Sequence, residues 1–102
     1  MLIVYTTTSN AAEAEELARK IVVASIAACV QILPQISSIY FWEGKVRKET
    51  EHLLVIKTLP EKYDELEKFI IANHPYEIPE IIAVEAARVA EKYLGWLKDY
   101  LT

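Results

Sequence analysis

Apolar residues along this chain change their spacing several times, and each change marks an element. Leu2 to Thr8 is a short apolar and β-branched run, the pattern of a strand covered on both faces. After Ser9 the period lengthens: Ala14, Leu17, Ala18, Ile21 and Val22 fall at helical spacing, with Glu15, Glu16, Arg19 and Lys20 on the other side. Asn10 followed by Glu13 is a capping-box pattern, with Ser9 as the alternative cap. Two long strands follow, from about Cys29 to Trp42 and from about Val46 to Thr58, joined at Glu43-Gly44. Ile, Tyr, Phe, Trp and Val favour the pleated conformation, and glycine supplies the positive φ a tight turn needs.

The second half repeats the alternation. A helix is expected from near Thr58 and Pro60, capped with the help of Glu61, with Tyr63, Leu66 and Ile70 inward and Phe69 beside them. Asn73 in a left-handed turn would end it, and Pro75 cannot continue it. Ile81 to Val84 makes a last strand, with Pro79 at its entrance because proline has no ladder donor. Val89, Tyr93, Trp96, Leu97 and Tyr100 give a terminal amphipathic helix, interrupted at Gly95.

The order β-α-β-β-α-β-α is an α+β arrangement whose first six elements match the split βαβ of ferredoxin-like folds. Right-handed crossovers place the first and third strands at the sheet centre, the second at an edge, and two helices on one face. Twelve extended residues span roughly 40 Å, against a radius of gyration of about 13 Å for a compact chain of this size. The hairpin must therefore project beyond its own domain. Its edge strand carries Ile39, Tyr40, Phe41 and Trp42 with no gatekeeper charge before Glu43, and Pro34 is expected to bend or bulge it. Such an edge calls for pairing with other copies, with Tyr40, Phe41 and Trp42 at the subunit interface.

Composition narrows the function classes. The chain has 102 residues, one ordinary domain (1–102), and is 53% hydrophobic. A net charge of -4, with 11 basic residues outnumbered by 15 acidic ones and forming no stripe, argues against nucleic acid. Met1-Leu2-Ile3-Val4-Tyr5 opens without a basic leader or long apolar segment, so no membrane insertion is expected and the cytoplasm is the default compartment. Cys29 is the one cysteine and closes no intrachain disulfide. A glycine-rich phosphate loop, a paired-cysteine motif and a nucleophile elbow are all missing, and none of Arg19, Arg47 and Arg88 lies in a glycine-rich anion cradle of the acylphosphatase kind. A non-enzymatic protein is expected.

Several separated motifs resemble one family in order and spacing: Ala27-Ala28-Cys29-Val30, Tyr40-Phe41-Trp42-Glu43-Gly44-Lys45, Ile56-Lys57-Thr58, His74-Pro75-Tyr76-Glu77-Ile78-Pro79-Glu80 and Tyr93-Leu94-Gly95-Trp96-Leu97. The chain is similar to the CutA family along essentially its whole length. The resemblance implies a cytoplasmic homotrimer with a ferredoxin-like protomer, linked to tolerance of divalent metals including copper. Family trimers also look like the nitrogen-regulatory signalling trimers, which bind nucleotides between subunits; fold alone does not fix function. Family members credited with a copper site carry a first-strand cysteine and two adjacent histidines, and here the matching positions hold Tyr5 and Asn73, leaving His74.

The candidate residues each have two readings. His74, on a constrained loop before Pro75, is a metal ligand or proton carrier, or it fixes the turn by bonding backbone. Cys29 is a thiolate ligand or a small buried hydrophobe. Lys57, at the end of a central strand beside a helix start, binds a small anion or pairs with Glu80. Tyr76 and Glu80 join Lys57 in the expected ligand cleft. Tyr40 and Trp42 line that cleft or pack subunits, and Thr6, Thr7, Thr8 and Ser9 cap a helix or hold phosphate. His52 is expected to face solvent. The cofactor expectation is a weakly held copper or other divalent cation, and the rival reading is a scaffold trimer for a protein partner.

Overall fold

The computed structural model describes residues 1–102. The elements are β1 (Leu2–Thr8), α1 (Ala11–Val23), β2 (Cys29–Trp42), β3 (Lys45–Thr58), α2 (Tyr63–Asn73), β4 (Ile82–Glu85) and α3 (Glu91–Leu101), with a 3₁₀ turn at Pro60–Lys62. The four strands form one antiparallel sheet in the order β2-β3-β1-β4. This is the α+β, ferredoxin-like topology, with β1 and β3 central and β2 at an edge.

Strand alternation decides which side chains the helices cover. Val4, Leu54 and Ile56 of the sheet are sealed against Ala14 and Ile21 of α1 and Leu66 and Ile70 of α2. Ile3 and Tyr5 of β1, which point the other way, are only half-buried, so in the single chain β1 is covered fully on one face. A smaller cluster joins α3 to the far end of the sheet through Leu97, Leu101, Ala28 and Leu59.

The caps differ in detail from the expected ones. Asn10 accepts from the Glu13 amide at 2.8 Å, but the Glu13 carboxylate turns to the Ser9 hydroxyl at 3.0 Å. α1 ends in paired bonds from Ser25 to Val22 and from Ile26 to Ile21, with Ser25 at φ 57. No side chain caps the 3₁₀ turn: Thr58 instead donates to the Ile26 carbonyl at 2.6 Å, tying β3 to the segment entering β2. Asn73 does not take the left-handed conformation; it stays helical and its amide caps the Phe69 carbonyl at 2.8 Å. α3 runs unbroken through Gly95, since one glycine costs a helix only about 1 kcal/mol.

The hairpin extends the molecule to 45 × 25 × 22 Å. Glu43 and Gly44 have φ 48 and 81, the two positive values of a type I′ turn. At Pro34-Gln35 the ladder slips by one residue: Leu33 faces Leu53, while Ile36 already faces Glu51, and Gln35 sits at φ 54. This bulge exchanges the faces of β2. Before it the odd residues share a face with Lys57 and Val55; after it Ser38, Tyr40 and Trp42 do so with Glu49, Arg47 and Lys45.

Candidate functional site

On the side of the sheet away from α1 and α2, the base of the hairpin and the loop after α2 enclose a cleft of about 670 Å³. Ser38, Tyr40 and Trp42 reach it because of the bulge, Glu49 and Glu51 come from β3, Thr7 comes from the end of β1, and Tyr76 to Glu80 closes the side. Four of its lining residues are carboxylates: Glu49, Glu51, Glu77 and Glu80. None of them is in an ion pair, since the two salt bridges of the chain, Lys20–Glu16 and Lys62–Glu65, lie on the helices.

His74 anchors the loop. The Tyr76 amide donates to its Nδ1 at 3.1 Å, so Nδ1 is unprotonated and Nε2 carries the hydrogen, which it gives to the Thr7 carbonyl at 2.6 Å. The buried imidazole is thus neutral, and both its nitrogens are engaged. Of the two readings of this histidine, the geometry is that of the turn-fixing one. Its ring lies against Tyr76, 4.6 Å between centroids, and so orients the phenol.

Tyr76 in turn donates to Glu51 Oε2 at 2.9 Å. Burial and then the Glu51 carboxylate push the Tyr76 phenol well above its ordinary range. Tyr40 is shifted the same way, by desolvation and then by Glu49, with Arg47 opposing. Arg47 itself donates to the Trp42 carbonyl at 3.4 Å.

The expected cleft residues divide within one chain. Tyr76 and Glu80 line the cleft; Lys57 does not, standing six residues beyond Glu51 on β3, roughly 20 Å along the strand. Lys57 makes no ion pair with Glu80, and its ammonium sits 5.4 Å from the centre of the Tyr93 ring. Cys29 is directly opposite Lys57 and half-buried, at the other end of the sheet from His74, so the two candidate metal ligands are apart. No three His, Cys, Asp or Glu residues are grouped to hold a metal ion. Thr8 and Ser9 serve the α1 entrance, as the capping reading has it.

Tyr40 and Trp42 point to the cleft side of the hairpin and Phe41 and Val46 to the reverse; Ile39 is on the reverse by register but also borders the cleft, and Ile39, Phe41 and Val46 are each about 70% exposed. The sequence reading missed Glu51 as a site residue. Both Glu51 and His52 are 9% exposed, and the expectation of a solvent-facing His52 is corrected: it lies on the helix side of β3 opposite Thr8, and its Nδ1 has no partner. No local signal marked Glu51, which the loop residue Tyr76 covers; Pro34 marked only the bulge that turns Tyr40 and Trp42 to the same side of the hairpin.

Comparison with known proteins places the chain. The family described as CutA1 divalent ion tolerance protein matches residues 2–100. "Protein CutA, chloroplastic" from Arabidopsis thaliana is 44% identical over 98 residues, 96% of this chain and 54% of that protein, so the chain spans about half the length of this relative. The structure of CutA1 from Oryza sativa matches with a TM-score of 0.96 at 42% identity, over 99% of this chain and 93% of that one. The periplasmic divalent cation tolerance protein CutA from Archaeoglobus fulgidus matches with 0.96 at 34% identity, over the whole of both chains. With one fold and one sequence pattern shared over nearly its full length, the chain belongs to the CutA1 divalent ion tolerance family.

Proposed function

We propose that this chain works as a CutA-type homotrimer in the tolerance of divalent metal ions, copper included, and binds a metal ion or small ligand weakly at clefts between subunits. One observation carries the reading: Ile39, Phe41 and Val46, each about 70% exposed, cover one face of a hairpin that ends at an unpaired strand edge. An exposed apolar edge of this length needs partners, and copies of the same chain offer a matching one. The cleft lies at the hairpin base, so a neighbour docked on the hairpin would close its open side.

Weak metal binding is the form this reading takes, because His74 has both nitrogens in use and Cys29 is remote. Calorimetry with copper and zinc, on the native protein and His74→Ala, tests it. Equal weak heats from both would remove His74 from the ligand set. Sedimentation tests the trimer: a well-folded species at 11.7 kDa at working concentration would end the inter-subunit cleft.

The engaged histidine and the dispersed carboxylates favour a second reading, a scaffold trimer that recruits a protein partner without a physiological metal. Recovery of a stoichiometric partner on the metal-free trimer would support it, and stoichiometric copper without any partner would argue the other way. Neither reading involves catalysis. The cytoplasm is the proposed compartment on the sequence argument, and no helix is long and apolar enough to cross a membrane. Cell fractionation tests the compartment, which the Arabidopsis and Archaeoglobus proteins' own names show to vary among relatives.

A further inference from the structure

We draw no further inference here: the strongest candidate, the pair of buried polar atoms Thr6 Oγ1 and His52 Nδ1 on the helix side of the sheet beside the hairpin bulge, carries nothing, because neither belongs to a group that could hold a metal ion and nothing in the structure shows what would meet them there.

Discussion

The phenol of Tyr76 donates to the carboxylate of Glu51 at 2.9 Å, across 25 residues of sequence, and this is the bond that fastens the loop after α2 to the base of the hairpin. His74 aims Tyr76 and is itself held by Thr7, so β1, β3 and the loop are joined through three side chains. Tyr76→Phe removes the donor and leaves both Glu51 oxygens unpaired. The loss should be about 1–2 kcal/mol of stability, less than for a fully buried charged pair because the phenol is partly exposed. Urea unfolding of Tyr76→Phe, of Glu51→Ala and of the double variant should give a coupling of about 1 kcal/mol. Additive single effects would show that the bond contributes nothing.

Alkaline pH acts through the same bond. The folded-state value of Tyr76 is raised above the ordinary 10.0, mainly by burial and then by Glu51. The folded protein therefore keeps a proton that the unfolded chain releases. Its contribution is fully present below pH 10 and is lost as the pH rises further, because the unfolded state alone gains by ionising. Tyr63, raised by its bond to Glu67, pushes in the same direction from a more exposed site. Melting temperatures from pH 9 to pH 12 should fall more steeply for the native protein than for Tyr76→Phe. Parallel curves would place the alkaline sensitivity elsewhere.

The two faces of the hairpin tip should separate in mutagenesis. Phe41→Ala strips the exposed apolar face and should weaken self-association by about a hundredfold or more, since truncating a packed phenylalanine commonly costs about 3–5 kcal/mol. Trp42→Ala, on the cleft side, should cost less in assembly and more in ligand binding. Analytical ultracentrifugation over a dilution series reads the difference. A larger assembly defect in Trp42→Ala would reverse the assignment of faces.

Gly44→Ala tests the turn. Gly44 has φ 81, and an added Cβ would meet nothing within 4 Å, so the cost is conformational and not steric. The left-handed penalty for an L-residue predicts a loss of about 1–2 kcal/mol, visible in thermal unfolding. No loss would mean that the turn relaxes to another type.

Much of this fold was legible because local pattern and global architecture agree. The β-branched run at Leu2, the helical stripe through Leu17 and Ile21, and the Glu43-Gly44 turn each had one physical reading, and crossover handedness then fixed the strand order. What stayed hidden depends on long-range partners. Thr58 looked like a helix cap until the Ile26 carbonyl claimed it, and Asn73 looked like a left-handed stop although its side chain could cap the helix from within. The separation of Lys57 from Tyr76 and Glu80 follows from strand length, which family motifs do not convey. Glu51 was hidden for another reason. Its burial is made by a loop that approaches from α2, and polarity in a strand reads as exposure until that loop is placed.

The slip at Pro34-Gln35 gives the protruding arm a separate set of instructions from the sheet it grows out of. Removing one residue there would turn Tyr40 and Trp42 away from the acidic hollow and bring Phe41 towards it, exchanging the two faces of the arm without altering any side chain. Length at this point is therefore as strictly specified as chemistry: the chain can tolerate a changed residue in the kink more readily than a missing one.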